Sequence, residues 1–293
     1  DTQLFGVTGA RSRLYAENWD PAGQFVPMIR TADDAGAPTL LADLDIRLPN
    51  PLEKTYLGAI EWRAGRGSLV NEMSIGYEWS IDTATRDRKT VTIAGQGGGR
   101  WYGAGLVTDS ESRRFCRWLV VDGTREPLTF YGPNIEKGGG VTQVEITAAQ
   151  NIRILGNKTE GNPDFFAQII ASQNIMHAGL TGSRNAAYSS GDTEFLVRDS
   201  TDVLIPNATL FPGVRGPVAY MLHEQIAGQT DQFIDGQDQC SLYKRGSFDD
   251  SAFPHCGDGQ CDPWNETAVS CAQDCDGSAA ACGDAACNGM ETC

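Results

Sequence analysis

Residues 144–154 read VEITAAQNIRI, residues 167–177 read AQIIASQNIMH, and residues 194–205 read EFLVRDSTDVLI. Each stretch consists of a short apolar strand, a polar corner and a second short strand. The first two lie 23 residues apart, and the third follows after 27 or 28 more. A unit this short cannot bury its own apolar face, so the repetition predicts coils that stack on one another and share a core.

The alignment of the three stretches predicts two stacked columns of apolar side chains. These columns contain Ile146, Ile169 and Leu196 at one position, and Ile152, Ile175 and Val203 at another.

The polar corners and the segments between the units both favour a parallel β-helix. The corners contain Asn151 and Asn174, and asparagine tolerates the left-handed backbone conformation and can join a ladder of side chains. Alternating strands and helices would need an amphipathic helix in residues 155–166 and 178–193, but these segments are interrupted by glycine and proline. We therefore predict an all-β fold, a right-handed parallel β-helix followed by a small disulfide-rich C-terminal tail.

Weaker copies of the unit occur upstream, so the β-helix is expected to begin near residue 1 and to end near residue 213. Residues 214–248 then close it, which gives a first domain of 1–248 and a tail of 249–293. Because residues 5–15 already resemble a coil, we expect a missing N-terminal part or another subunit to cover the first coil. Further strands are predicted at 40–46, 59–75, 115–121 and 128–131.

The tail is acidic and rich in cysteine. Residues 249–293 contain nine acids and no Lys or Arg, and so carry nine of the chain's 15 net negative charges. Such a surface repels phosphate backbones, which argues against a nucleic-acid partner, and it attracts divalent cations. Seven of the nine cysteines lie in the tail, which favours a disulfide framework and a secreted, extracellular or cell-surface location. No run of about 18 apolar residues occurs, so no membrane span is predicted.

Residues 58–65 (GAIEWRAG) and 126–136 (EPLTFYGPNIE), together with the repeat from 144 to 156, resemble a bacterial branch of the pectate-lyase-like β-helix superfamily. They are similar to the C-terminal β-helix of laminarinase-type exo-β-1,3-glucanases. CGDGQC at 256–261 and CGDAAC at 282–287 are similar to the CGDG-type cysteine-rich repeats of secreted bacterial proteins. The resemblance implies a polysaccharide-related role, although the superfamily also contains non-catalytic surface proteins.

Cleavage of a polysaccharide on such a scaffold needs either two carboxylates or carboxylates that hold Ca²⁺ beside a cationic base. Glu61 and Glu145 lie within strands and are expected on the outer face. For each acid the alternative interpretation is an ordinary solvated side chain. The candidate catalytic acids are Glu72, Glu78, Asp82 and Glu136.

Aromatic side chains near strand ends are the candidates for stacking on sugar rings. The alternative is packing in the core or in a loop, and this is the preferred interpretation for Trp62 and Trp118 within strands. The candidate substrate-binding residues are Trp79, Trp101, Tyr102 and Tyr131.

The tail also contains candidate calcium ligands, because carboxylates are the hard oxygen donors that Ca²⁺ prefers. The alternative is a plain disulfide knot. The candidate ligands are Asp258, Asp262, Glu266 and Asp274, and the candidate disulfide cysteines, with pairing left open, are Cys256, Cys261, Cys271, Cys275, Cys282 and Cys287. His177 replaces an apolar residue of the repeat, so we expect a core histidine whose ring nitrogens are hydrogen-bonded.

Two functions compete at this point. The chain is either a secreted protein that binds or cleaves a polysaccharide or cell-surface glycan, or a non-catalytic structural or adhesive β-helix that self-assembles into fibres or a surface layer. Two acids within about 10 Å of each other beside aromatic side chains would favour the enzyme.

Overall fold

The computed structural model describes residues 2–5, 12–15, 26–36, 38–48, 57–77, 88–107, 116–184, 193–211, 220–235 and 239–253. The chain divides into two units, Asp1–Phe248 and Asp249–Cys293. Of the second unit, only residues 249–253 are described.

The first unit is built from strands throughout. A single turn of 3-10 helix at Asp250–Ala252 follows in the second unit, with the Asp249 side chain accepting from the Ser251 N–H. None of the described ranges contains a helix long and apolar enough to cross a membrane. The strands are β1 (Thr2–Phe5), β2 (Ser12–Tyr15), β3 (Val26–Arg30), β4 (Thr39–Ala42), β5 (Leu44–Leu48), β6 (Leu57–Trp62), β7 (Leu69–Asn71), β8 (Ser74–Tyr77), β9 (Arg88–Ala94), β10 (Gly99–Tyr102), β11 (Gly105–Val107), β12 (Cys116–Asp122), β13 (Leu128–Tyr131), β14 (Asn134–Thr147), β15 (Gln150–Leu155), β16 (Lys158–Ile170), β17 (Gln173–Ala178), β18 (Leu180–Arg184), β19 (Thr193–Arg198), β20 (Thr201–Phe211), β21 (Tyr220–Gln225), β22 (Gln232–Asp235) and β23 (Gln239–Arg245).

These strands stack in three parallel ladders, which confirms the predicted parallel β-helix; its right-handed sense stays a prediction. Ladder A contains β3, β6, β9, β12, the second half of β14, the second half of β16, β19 and β21. Ladder B contains β1, β4, β7, β10, β13, β15, β17 and the first half of β20. Ladder C contains β2, β5, β8, β11, the first half of β14, the first half of β16, β18 and the second half of β20.

The passage from ladder C to ladder A differs between coils. In β14 and β16 one continuous strand makes this passage. In the other coils the chain leaves ladder C at the end of one strand and joins ladder A several residues later, for example between Leu48 and Leu57 or between Tyr77 and Arg88. The coil length therefore varies at this passage.

The last coil is closed by two strands that run in the opposite direction. β22 pairs antiparallel with β21, and β23 pairs antiparallel with β20. The predicted closing segment, 214–248, therefore contains one more parallel strand before the reversal. Tyr243 of β23 packs into the core, and its hydroxyl donates to Glu224.

The register confirms one predicted column and corrects the other. Ile175 pairs with both Ile152 and Val203, as predicted. In the other column, Ile146 pairs with Ile169 as predicted. Ile169 then pairs with Val197 and not with Leu196, which pairs with Gln168, so the predicted register was off by one residue.

The predicted polar corner is confirmed. Asn151, Asn174 and Asp202 have φ angles of 59°, 56° and 55°, in the left-handed region that asparagine and aspartate tolerate. Asn174 Nδ2 donates to Asn151 Oδ1 over 2.9 Å, and Gln173 Nε2 donates to Asp202 Oδ2 over 2.9 Å. Hydrogen bonds between side chains thus join successive coils at this corner.

The core is one continuous cluster of buried apolar side chains, and it includes a group of packed aromatic rings. Trp101 packs against Trp62 at 5.3 Å between ring centroids and against Phe130 at 5.3 Å. Trp62 and Trp118 are fully buried, which confirms their predicted structural role. Gly99, with φ 90°, allows the backbone to pass close by, since a Cβ there would lie 2.3 Å from the Ser68 carbonyl oxygen.

His177 lies in the core beside Ile154, and only 1% of it is exposed. The expectation that both ring nitrogens are hydrogen-bonded is wrong: among the described residues Nδ1 has no partner, and Nε2 lies 3.5 Å from Asn157 Nδ2. The ring meets Phe195 edge-on at 5.2 Å. Burial lowers the pKa of His177 to about 4, so the ring is neutral at neutral pH.

Candidate functional site

Two glutamates occupy paired positions on the outer face of ladder C. Glu136 of β14 pairs with Glu160 of β16, and both alternate with inward-facing neighbours, Ile135 and Thr159, which are fully buried. Adjacent strands lie about 4.8 Å apart, so this register places the backbones of the two glutamates about this far apart, with both side chains on the same face. We call Glu136 and Glu160 the carboxylate pair.

Lys158 lies between the two carboxylates. Its Nζ contacts Glu136 Oε1 and lies 3.3 Å from Glu160 Oε1. The hydrogen bond to Glu136 is the main reason that the pKa of Lys158 is raised, so this side chain remains cationic. The Glu136 side chain is 10% exposed and that of Glu160 is 30% exposed, so Glu160 is the more accessible of the two.

Asn134 adds an unused acceptor beside the carboxylate pair. It pairs with Lys158, and its Oδ1 is buried without a hydrogen-bond partner in the described part of the chain. A buried acceptor without a donor is costly. A ligand hydroxyl is one donor that could satisfy it.

Tyr102 and Tyr131 lie across the corner at Gly132, on the outer face of ladder B. Their rings stack at 4.6 Å with an interplanar angle of 4°. Each ring covers one face of the other. Both side chains are partly exposed, and Tyr131 precedes Asn134 by three residues.

Glu72 and Trp101 are placed apart from the carboxylate pair. Glu72 is exposed at a corner with φ 48°, and its N–H donates to the Tyr102 carbonyl. By register Glu72 lies two coils before Glu136. Trp101 is 1% exposed and lies in the interior, so its ring belongs to the core and a ligand at the surface does not reach it.

The remaining candidates fall outside the described residues and stay predictions. In the described ranges, no group of three or more His, Cys, Asp or Glu side chains could hold a metal ion. The candidates outside those ranges are Glu78, Trp79 and Asp82, the calcium ligands Asp258, Asp262, Glu266 and Asp274, and the disulfide cysteines Cys256, Cys261, Cys271, Cys275, Cys282 and Cys287.

Sequence reasoning did not select Glu160 or Lys158. The pattern that reveals them is the match of Asn134-Ile-Glu136 to Lys158-Thr-Glu160, 24 residues later. This match belongs to ladder C, whereas the repeat that defines the fold belongs to ladders A and B.

Other acids on the outer face form ion pairs, several of which connect coils. Glu61 pairs with Arg30 and Arg63, and Glu145 pairs with Arg117. Burial opposes the ionisation of Glu61, but hydrogen bonds from Arg63 and Arg30 outweigh it and lower the pKa of this carboxyl. The predicted outward orientation of Glu61 and Glu145 is confirmed, and their contacts are structural.

In comparisons with known proteins, no family model, no curated protein and no solved structure matched this chain. The resemblance to the pectate-lyase-like superfamily is therefore an expectation that rests on the sequence motifs.

Proposed function

We propose that this chain is a secreted β-helix protein that binds polysaccharide on its outer face and hydrolyses it at the carboxylate pair. The observation that carries the proposal is the register that pairs Glu136 with Glu160 on adjacent strands. The spacing of adjacent strands, about 4.8 Å, is close to the ~5–5.5 Å between the two carboxyl groups of retaining glycosidases.

The contacts of the two acids suggest different roles. Glu136 contacts the Lys158 ammonium and is the less exposed of the two acids, and it is assigned as the nucleophile. Glu160 is more exposed and is assigned as the acid and base. In the first step Glu160 gives its proton to the glycosidic oxygen as Glu136 bonds to the anomeric carbon and the old C–O bond breaks. In the second step Glu160 takes a proton from water, which displaces Glu136.

The surroundings suit a sugar. Asn134 Oδ1 and the Lys158 ammonium offer an acceptor and a donor for hydroxyl groups, and the partly exposed Tyr131 adds a further hydroxyl. The resemblance to laminarinase-type exo-β-1,3-glucanases makes β-1,3-glucan the first substrate to test. A calcium-stabilised, disulfide-linked tail and an extracellular location complete the proposal.

The test is replacement of each acid by its amide. Glu136→Gln and Glu160→Gln should each lower the release of reducing ends from β-1,3-glucan by about 10²-fold or more, since each removes a group that acts in the transition state. Glu145→Gln, an outer-face acid on ladder A, is the matched control and should keep full activity. Circular dichroism verifies the fold. Equal activity in all three variants would exclude this site.

A non-catalytic structural or adhesive β-helix is the second candidate. Coil-bridging ion pairs favour it, for example Asp45 with Arg13 of the preceding coil, because they stabilise a rod along its length. Electron microscopy and light scattering would detect the fibres or surface layer that this function requires. A strictly monomeric protein with glucanase activity would exclude it.

A further inference from the structure

An exposed aromatic cluster lies at the last coil, on ladder A. It consists of Tyr220 and His223 of β21 and Phe233 of β22, which we call the terminal aromatic patch. Tyr220 is 39% exposed and Phe233 is 49% exposed. In the described ranges, Leu4, at 38%, is the only other large apolar side chain classed as exposed.

The rings of the terminal aromatic patch contact one another. Phe233 stacks on the His223 imidazole at 4.2 Å between centroids with an interplanar angle of 17°. Tyr220 packs against Phe233 at 4.7 Å and 44°. Although two rings contact Phe233, about half of its surface stays exposed. The antiparallel pairing of β21 with β22 holds all three rings in place.

A carboxylate borders the rings. Asp231 Oδ2 accepts from His223 Nε2 over 2.9 Å and from Gln225 Nε2 over 3.1 Å. The hydrogen bond from His223 is the main reason that the pKa of Asp231 is lowered, so this carboxylate is ionised at neutral pH. The patch therefore offers an apolar ring face beside a fixed, charged hydrogen-bond acceptor.

We propose that the terminal aromatic patch is a second carbohydrate-binding site, separate from the carboxylate pair, and that it takes a neutral glycan. The C–H face of a sugar ring would lie on Phe233 and Tyr220, and a sugar hydroxyl would donate to Asp231. The ionised Asp231 and the chain's net charge of −15 disfavour an anionic polysaccharide. The choice of glycan as ligand rests on the proposed function.

The patch and the carboxylate pair lie on different ladders. His223 belongs to the column that continues through Leu196 and Gln168 to Glu145 on ladder A. A long glycan could therefore be held at the last coil without occupying ladder C, which would raise the local concentration of substrate near the carboxylate pair.

The experiment compares glycan binding by wild type and patch variants of the full chain. The variants are Phe233→Ala and Tyr220→Ala, singly and together, with Leu4→Ala as the control of similar exposure. Affinity electrophoresis with soluble β-1,3-glucan, xyloglucan, mannan and polygalacturonate provides the measurement. The double variant should bind a neutral glycan about tenfold or more weakly, while Leu4→Ala binds it like wild type.

Unchanged affinity in the double variant would overturn the inference. So would preferential binding of polygalacturonate, or a change in oligomeric state by light scattering without a change in glycan affinity, which would identify the patch as a contact between copies of the chain. A wild-type protein that binds none of the four polysaccharides would also overturn it.

The two proposals fail separately. If Glu136→Gln and Glu160→Gln abolish cleavage while the patch variants bind as wild type does, the second site is excluded and the enzyme remains. If the patch variants lose affinity but no protein cleaves any polysaccharide, the second site remains and the hydrolase is excluded. Cleavage of a short oligosaccharide should be unaffected by Phe233→Ala.

Discussion

At the scale of a single residue, His177 is the least expected member of the core. It occupies the position of an isoleucine in the neighbouring coil, with Nδ1 unbonded to any described residue and Phe195 against its ring. The fold tolerates an imidazole here only while the ring is neutral, because a buried cation without a partner is costly.

His177 therefore makes the fold sensitive to acid. Its folded pKa, about 4, lies below the ordinary value of 6.5, so the unfolded chain takes up the proton first. The stabilising effect is fully present above about pH 6.5 and is lost as the pH falls towards 4, at a cost of about 3 kcal/mol.

The test is the variant His177→Ile, which should remove the part of the acid destabilisation that His177 causes. Urea unfolding at pH 7 and at pH 4 measures the free energy of unfolding of each protein. Ile169→Val, a core substitution that removes no titratable group, serves as control and should lose as much stability between the two pH values as wild type does. If His177→Ile and wild type lose equal stability, burial of a neutral ring is not the cause.

Residue-scale patterns predicted the core only where apolar and polar side chains alternate. Ile146 stands between Glu145 and Thr147, and Ile169 follows Gln168; both were assigned correctly. Phe195, Leu196 and Val197 are all buried, so the sequence contains no alternation there and the register was off by one. Trp101 was expected at the surface because it lies near a predicted strand end, whereas it lies within β10 and points into the core.

At the scale of the element, the corner after ladder A combines backbone conformation with side-chain hydrogen bonding. Asn174 contributes in both ways: its backbone adopts the left-handed conformation, with φ 56°, and its side chain donates a hydrogen bond to Asn151. Replacement by glycine or by alanine separates these two contributions.

Asn174→Gly keeps a residue suited to positive φ and loses only the side-chain hydrogen bonds, so we expect a loss of about 1 kcal/mol. Asn174→Ala also adds strain, and should cost about 2 kcal/mol. Chemical denaturation of the three proteins gives the ranking. If alanine destabilises no more than glycine, the left-handed conformation contributes nothing at this corner.

Ladder C could not be predicted from the repeat in residues 144–205, because that repeat consists of strands of ladders A and B. In β16 the inward position of ladder C is the polar Thr159, which pairs with Gly182, and the outward positions on either side are the charged Lys158 and Glu160. Without apolar alternation, residues 158–163 gave no strand signal, so Glu160 and Lys158 were overlooked. Only Glu136 of the carboxylate pair was predicted, and it was selected for its chemistry.

At the scale of the whole molecule, the first unit closes its own core. Met221 and Leu222 of β21 are fully buried, and Tyr243 of β23 packs beside the same core. All of these residues precede Phe248, the last residue of the first unit.

A chain that ends at Phe248 should therefore fold. We expect its melting temperature to stay within about 3 °C of the full chain, a difference of about 1 kcal/mol or less for a protein of this size. Its isoelectric point should rise, because the tail carries nine of the 15 net negative charges. Differential scanning calorimetry and isoelectric focusing measure both. Loss of the β-sheet circular dichroism signal on truncation would show that the tail completes the fold.

The continuous passage from ladder C to ladder A in β14 and β16 shows the shortest coil that this architecture permits. Other coils have additional residues between their ladder C strand and their ladder A strand. These coils are longer, yet their strands still pair with the strands of the neighbouring coils. Mutation can thus add or delete sequence along one edge without rebuilding the scaffold. That edge is where lineages can diversify what the protein recognises, and where a designer can graft a foreign peptide.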